Sequence, residues 1–544
     1  MKRSGLLVLF ACAAMTAAES KTSKEKDMCS PPPGSIAPSL PAHLMSGQGN
    51  IHFAISTTNP DAQKFFDQGV AQMHSFWATE AERSFLQAAS LDPEAPMPWW
   101  GVAMVAAGDY RPRHQLERDA PEKRGSGAKK NNELKGAPLR AKEAAEKAVK
   151  LSAVSGKATD LEKLYIAAIA GRRQAKDANE AYIAGLRAIL ASHPDEVEAG
   201  SYLALHLMRG FTLPERTPRE GTMEAVNLLR SLVVKFPEHA GVHHYIIHGW
   251  EGATFAAEAW PSCERYPQLV TNIPHALHMP GHIWAQTGRW TEGEKSFTDA
   301  AVNEIGYMKA DALYGNYHHA HNIEFLITTY GFDGKFDEAM KAARGLMEFA
   351  ENPRQAADPD DSYTAYRMGW FGVMRTLVTF EKWDAILDGA TLPVLDKPRE
   401  RAWRHWAIGL AYANKGNARR AKGQMKLMDA AMKEFDTKVD KPVPPPLKVA
   451  MEELLGQIAI AEKHSEKGLK LLAEAGAHER ALRYTEPPSY PRPVLDALGK
   501  RATLAGKTDV AIAAWHNALE QTPGDPRAQK GLSSSTQKAP SGIE

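Results

Sequence analysis

The stretch "AQKFFDQGVAQMHSFWATEAERSFLQAASLDP" (residues 62–93) decides the predicted fold. Apolar residues recur every three or four positions, which is typical of amphipathic helices. Small side chains at Gly69, Ala81 and Ala88 would let two antiparallel helices approach closely around Phe85, and Pro93 would end the second helix. The stretch therefore predicts one helix pair.

The same spacing returns four more times along the chain. The later copies are Gly281, Gly288, Trp290, Phe297 and Ala300; Tyr330, Gly334, Phe336 and Ala339; Gly409, Tyr412, Gly416 and Ala421; and Gly499, Gly506, Ala511, Trp515, Ala518 and Pro523. This pattern resembles the tetratricopeptide repeat (TPR), a pair of antiparallel helices that stacks on its neighbours. The resemblance implies an all-α, right-handed superhelical solenoid with a concave groove. We expect about eight or nine helix pairs.

The repeat region defines the predicted domain organisation. The solenoid is expected over residues 60–530, with degenerate helix pairs at about 137–190, 195–236, 240–270 and 447–476 and a polar insertion at 111–136. We expect a flexible segment at 19–59 and a disordered tail at 531–544, because both are rich in Pro, Ser and Gly.

Residues 1–18 have the features of a secretory signal peptide. Lys2 and Arg3 precede an apolar run, and small residues follow as far as Ala18. A lipid-modified Cys12 is the alternative. We expect a periplasmic or secreted protein, in which Cys29 and Cys263 could pair.

Composition excludes several classes of function. The chain has 544 residues, a formal net charge of +1, and 24% charged and 43% hydrophobic residues. This balance is typical of a globular protein and offers no basic surface for nucleic acid. No later apolar run is long enough to span a membrane. P-loop, G-x-G-x-x-G, G-x-S-x-G, H-E-x-x-H and C-x-x-C-H motifs are absent.

Histidines concentrate in the middle of the chain: ten of the twenty lie between residues 239 and 321. Two pairs, His244 with His248 and His278 with His282, have the i, i+4 spacing that lets two imidazoles hold one metal ion. Imidazole is the commonest protein ligand of transition metals, and carboxylates can complete such sites. The predicted metal ligands are His244, His248, Glu251, His275, His278, His282, His321 and Glu324. We expect one or two ions of zinc, copper or iron.

A proline interrupts the most histidine-rich segment, "HALHMPGHI" (275–283). Pro280 cannot donate a backbone hydrogen bond to the carbonyl of Ala276, so a kink or bulge is expected there. Such a distortion would direct His278 and His282 toward one target. The alternative is that Pro280 is merely tolerated between packed repeats.

The segments "HHYIIHGWE", "PHALHMPGHIWAQTGRW" and "AHNIEFL", with "EPPSYPRPV" near the end, resemble a group of bacterial TPR proteins. That group carries H-Y-x-I-H, H-x-x-H-M-P-x-H-I and H-N-x-H-F-L segments, and the resemblance covers roughly residues 60–530. In TPR proteins the corresponding positions of the first helix line the concave groove. The resemblance therefore implies that the candidate ligands converge there. Glu324 departs from the group, which often has histidine at that position.

Three functions remain open from the sequence. In the first, the groove holds one or two metal ions and acts on a small molecule or peptide. Alternatively, it binds an extended peptide or partner protein without metal. In the third case the protein stores or carries metal without catalysis.

Overall fold

The computed structural model describes residues 41–119, 136–154, 156–310, 317–350, 364–438, 442–485 and 487–537. Over these residues the chain forms 24 α-helices and no strand, only one isolated bridge between Phe211 and Pro218. The all-α prediction is confirmed. No helix among the described residues is long and apolar enough to cross a membrane.

The helices follow one another as antiparallel neighbours. The first twelve are α1 (Pro60–His74), α2 (Ala78–Leu91), α3 (Met97–Ala106), α4 (Arg113–Asp119), α5 (Ala137–Ser152), α6 (Asp160–Gln174), α7 (Ala178–Ser192), α8 (Val197–Leu207), α9 (Thr222–Lys235), α10 (Ala240–Trp250), α11 (Trp260–Leu269) and α12 (Pro274–Gln286). The last twelve are α13 (Trp290–Ala310), α14 (Tyr317–Phe332), α15 (Phe336–Glu348), α16 (Ala365–Thr379), α17 (Trp383–Leu387), α18 (Pro398–Asn414), α19 (Ala418–Lys438), α20 (Pro445–Ala461), α21 (Ser465–Arg480), α22 (Val494–Leu504), α23 (Thr508–Gln521) and α24 (Pro526–Thr536).

Glycines in the repeat pattern sit where paired helices touch. A Cβ added to Gly69 would lie 2.6 Å from the ring of Phe85, and one added to Gly281 would lie 2.5 Å from the ring of Phe297. Gly499 contacts Trp515 in the same way. The large side chain from the second helix fills the space that each glycine leaves. This contact recurs in three of the predicted copies, so the chain is a TPR-like solenoid of stacked helix pairs.

Several predicted boundaries fall on residues that are described only in part. The predicted signal peptide, Cys29 and most of the insertion lie outside the described residues. Residues 41–59 form no helix, but they run along the array: Phe53 is buried against Phe66 and Trp100, and Gln48 donates to the carbonyl of Asn272. Helix α24 extends into the predicted tail as far as Thr536.

The superhelix curves until distant repeats touch. The end of α1 lies against α10, where the ring of His74 leaves no room for a side chain at Gly241. The turn at Gly288, which has a positive φ of 75°, contacts Pro523, and the Trp290 indole donates to the carbonyl of Gly524. The first and the last repeats therefore both close on the central repeats. This closure buries the face that the sequence predicted to line an open groove.

Candidate metal centre

Six of the eight predicted ligands form the centre of the buried face. They come from α10, α12 and α14, and each is at most 4% exposed: His244, His248, His275, His278, His282 and His321. Their ring nitrogens form two groups of three. We call His244, His248 and His275 the first trio, and His278, His282 and His321 the second trio.

Helix geometry explains this division. Within each trio, one ring nitrogen from every histidine lies within 4.8 Å of the other two. Both i, i+4 pairs remain together, because residues four apart share one face of a helix. His275 on α12 joins the two α10 histidines, with its ring centroid 5.1 Å from that of His244. Helix α12 runs unbroken through Pro280 and supplies both trios.

Hydrogen bonds fix the tautomer of the first trio. Nδ1 of His244 lies 2.5 Å from the carbonyl oxygen of His74, and Nδ1 of His248 lies 2.9 Å from Glu251. These oxygens only accept, so each Nδ1 carries the hydrogen and each Nε2 keeps its lone pair. The Nε2 atoms of His244, His248 and His275 are all buried and have no hydrogen-bond partner among the described residues. Three such lone pairs in one place are the arrangement that a metal ion requires.

His275 is oriented through a second histidine. Its Nδ1 lies 3.3 Å from Nε2 of His318, whose own Nδ1 lies 2.6 Å from Glu304. Because the Glu304 carboxylate accepts from His318, Nε2 of His318 is left to accept from His275. Glu304 also accepts from His319 at 3.2 Å. This series of hydrogen bonds, from His275 through His318 to Glu304, leaves Nε2 of His275 unprotonated.

The second trio contains a contact between two acceptors. Nδ1 of His278 donates to Oδ1 of Asn322 at 2.7 Å, and Nδ1 of His282 donates to Glu251 at 2.5 Å. The Asn322 amide is held in this orientation because its nitrogen donates to the carbonyl of Phe297. Nε2 of His278 and Nε2 of His282 then face each other at 2.7 Å. With both Nδ1 atoms donating, these two Nε2 lone pairs face each other with no hydrogen between them, an arrangement that a cation or a shared proton would relieve.

Glu251 lies between the trios. One oxygen accepts from His248 of the first trio and the other accepts from His282 of the second. The sequence predicted Glu251 as a metal ligand. The structure places it behind the imidazoles, where a carboxylate orients histidine ligands and makes them more basic.

Glu324 lies apart from both trios. It is half-buried on α14, with Arg375 and Arg399 as its charged neighbours. Burial raises the pKa of Glu324, and the two arginines oppose that rise. Among the described residues, none of the groups that could hold a metal ion includes Glu324, which was a predicted ligand.

Burial favours the neutral form of four of these imidazoles. It lowers the pKa of four trio histidines well below 6.5, and the charges of neighbouring histidines lower it further. The four are His244, His275, His278 and His321. Neutral imidazole is the form that binds metal.

Aromatic rings enclose the trios. Phe76 is 1% exposed and stacks on His248 and His275, with ring centroids 5.1 and 5.3 Å apart. Phe325 stacks on His282 at 4.4 Å. The Phe76 ring keeps water from the first trio and gives its lone pairs a low-dielectric surrounding.

A third group of possible ligands is already closed by hydrogen bonds. Glu198 lies 2.5 Å from Nε2 of His74 and 3.0 Å from Nε2 of His239. Nδ1 of His239 accepts from the backbone of Val242, and Nδ1 of His74 meets the Tyr245 hydroxyl at 2.7 Å. Both ring nitrogens of His74 and of His239 are therefore engaged, so this group offers no free lone pair to a metal ion. Its hydrogen bonds instead hold α1 against α10.

A cavity of about 500 Å³ lies beside the second trio, and His282 and Phe325 form part of its wall. The loop at 213–216, the segment around 479–490 and the end of α23 supply the opposite wall. These parts are far apart in the sequence, and they meet because the last repeats close on the centre. Part of the segment "EPPSYPRPV", to which the sequence alone gave no position, lies in this region.

Sequence reasoning missed the groups that hold the trios: Asn322, Glu304 and Phe76. Asn322 lies in the quoted segment "AHNIEFL", which could have pointed to it, whereas Glu304 is an ordinary polar residue on α13 that no spacing in the sequence marks. Phe76 has a left-handed φ of 54° at the turn after α1, which its residue type does not predict.

Comparison with known proteins gives fold-level likeness alone. No family model matches the chain, and no curated protein matches it significantly. Among solved structures, human IFIT1, in a dimer with m7Gppp-AAAA, is 11% identical, with 89% of this chain and 91% of that chain covered and a TM-score of 0.33. Yeast Tom70 is 10% identical, with 88% and 89% covered and a TM-score of 0.27. The P58(IPK) TPR domain is 12% identical, with 88% and 98% covered and a TM-score of 0.22. Matches at these scores carry no argument about ligands or partners.

Proposed function

We propose that this protein binds two transition-metal ions, one at each histidine trio. The observation that carries the proposal is the tautomer pattern: at His244, His248, His278 and His282 an acceptor holds the Nδ1 hydrogen, so that Nε2 offers a lone pair. Metal-binding histidines are commonly held in this way by carboxylates, carbonyls and amides.

The donor set favours a transition metal. Both trios consist of imidazole alone, which suits zinc, copper and iron and is poorly matched to magnesium or calcium. Three nitrogens leave a fourth position of a tetrahedral ion open, as in catalytic zinc sites. Glu251 and Glu304 supply negative charge behind the imidazoles and balance part of the metal charge.

The two trios suit different roles. The first trio is enclosed by Phe76 and α1, so its ion would tie α10, α12 and the first repeat together. The second trio lies beside the cavity, so its ion would meet a small molecule there. A metal ion at that point supplies Lewis acidity or an activated water. The proposed activity is metal-dependent chemistry on a small molecule in the cavity.

A metal-free scaffold for an extended peptide is the competing function, and the TPR-like fold is consistent with it. That function would leave the Nε2 atoms of the first trio unsatisfied in a buried place, which costs free energy. A metal store or carrier would bind ions at both trios but would not act on a molecule in the cavity.

Zinc titration of untagged protein against a chromophoric chelator tests the proposal. We expect two tightly bound ions per chain. His278→Ala should reduce the number to one, and the double variant His244→Ala and His278→Ala should abolish binding. His478→Ala is the matched control, because this exposed histidine pairs with Glu452 on the surface. Failure of the wild-type protein to bind zinc, copper or iron would leave the scaffold as the better function.

A further inference from the structure

The cavity beside the second trio has walls of mixed chemistry. Apolar and aromatic side chains make up much of it, including Trp290, Phe325, Phe332 and Leu213. Its volume of about 500 Å³ lies within the range of ordinary small-molecule sites. An occupant therefore needs an apolar body of moderate size.

One cation in the wall has no acidic partner. Arg216 donates from Nη2 to the carbonyl of Gln521 at 3.0 Å, and no carboxylate among the described residues pairs with it. Two more deeply buried arginines do have such partners, since Arg172 pairs with Asp109 and Arg367 pairs with Glu400. Arg375, like Arg216, donates to a backbone carbonyl instead, but it does not line this cavity.

The surroundings of Arg216 increase its demand for an anion. Arg216 is half-buried, and burial lowers its pKa; the like charge of Arg480 lowers that pKa further. Arg480 itself lies 3.8 Å from Glu520. The turn that carries Arg216 places it at a positive φ of 54°, a costly conformation for a residue with a side chain.

We propose that the cavity binds a small molecule with an apolar body and one carboxylate, which pairs with Arg216. The guanidinium uses one Nη2 hydrogen for Gln521, and its remaining donors can hold a planar carboxylate in two hydrogen bonds. The apolar body lies along Trp290 and Phe332 toward His282. This inference rests on the proposed function and names its substrate class, but recognition of the carboxylate does not itself need the metal.

Calorimetry on the full chain tests this inference with 4-phenylbutyrate and its neutral analogue 4-phenylbutanamide. Each is titrated into zinc-loaded and into metal-free protein. We expect the carboxylate to bind both forms, and the amide to bind at least tenfold more weakly. Arg216→Gln should weaken carboxylate binding at least tenfold, and Arg216→Lys, which keeps the charge, should restore part of it. Arg219→Gln is the matched control, since Arg219 is an exposed arginine of the same loop.

The outcomes separate this inference from the proposed function. Arg216-dependent binding in a protein that takes up no metal would support the inference while the proposed function fails. A protein that binds zinc but shows no phenylbutyrate binding would overturn the inference alone. Binding that requires zinc and is unchanged in Arg216→Gln would also overturn it, because the carboxylate would then sit on the metal.

Discussion

His248 and His282 donate their Nδ1 hydrogens to the two oxygens of one carboxylate, that of Glu251. The two histidines belong to different trios, so a single side chain fixes a tautomer in both. Any change at Glu251 should therefore affect both of the proposed metal sites, although they share no ligand.

Glu251→Gln should weaken zinc binding at both sites. The amide can accept from only one of the two imidazoles, and its NH₂ group opposes the other Nδ1 hydrogen. Loss of such an orienting carboxylate typically costs about 10- to 100-fold in metal affinity. Chelator competition measures both affinities, and Glu258→Gln, at an exposed glutamate that pairs with Arg230, should change neither. An effect on one site alone would contradict the shared role.

Glu304→Gln should weaken only the first trio. Glu304 acts through His318 on His275, and no hydrogen bond joins it to the described histidines of the second trio. The titration should therefore show one site with unchanged affinity and one site about tenfold weaker or more. Equal losses at both sites would show that the relay is not specific to His275.

The repeats and the ligand helices could be predicted from the sequence, because both follow from local periodicity. Helix pairing is encoded by Gly69 against Phe85 and by Gly281 against Phe297, and the trio helices occupy equivalent positions in consecutive repeats. Closure of the superhelix could not be predicted. The approach of α1 to α10, and of Pro523 to Gly288, depends on curvature that accumulates over many repeats, and no short pattern records it.

Details of the site depended on that closure. The carbonyl of His74 orients His244, although 170 residues separate them in the sequence. His275 and His278 are three residues apart, a spacing that places both on one face of α12. They nevertheless belong to different trios, because His275 groups with histidines of α10 and His278 groups with His321 of α14. The sequence predicted Glu324 as a ligand and did not single out Glu304, and only the structure shows that Glu304 contacts His318 and His319.

Gly281→Ala should destabilise the protein by about 1–3 kcal/mol. The added methyl group would lie 2.5 Å from the ring of Phe297, within the helix that carries both trios, and such overpacking strains a filled interior. Gly306→Ala on α13 is the control, because nothing lies within 4 Å of its added Cβ. That substitution should stabilise the helix by about 0.5–1 kcal/mol. Urea unfolding measures both, and equal effects would contradict the packing described here.

Glu479 should make stability fall as the pH rises. Burial in the cavity wall raises its pKa from 4.5 to about 8, so the folded protein holds a proton that the unfolded chain releases above pH 4.5. Between pH 4.5 and about 8, this group should reduce the free energy of unfolding by up to about 1.4 kcal/mol per pH unit. Glu479→Gln cannot ionise, so its unfolding free energy should depend less on pH across this window. Parallel pH profiles for the variant and the wild type would show that Glu479 is ionised in the folded state.

Anomalous diffraction from crystals of the zinc-loaded, untagged protein can locate the ions, with data collected on both sides of the zinc absorption edge. We expect two anomalous peaks per chain. One should lie about 2.0–2.1 Å from Nε2 of His244, His248 and His275, and the other at the same distance from a ring nitrogen of each of His278, His282 and His321. Peaks confined to surface histidines, or no peak at either trio in protein soaked with excess zinc, would contradict the claim that these trios are metal sites.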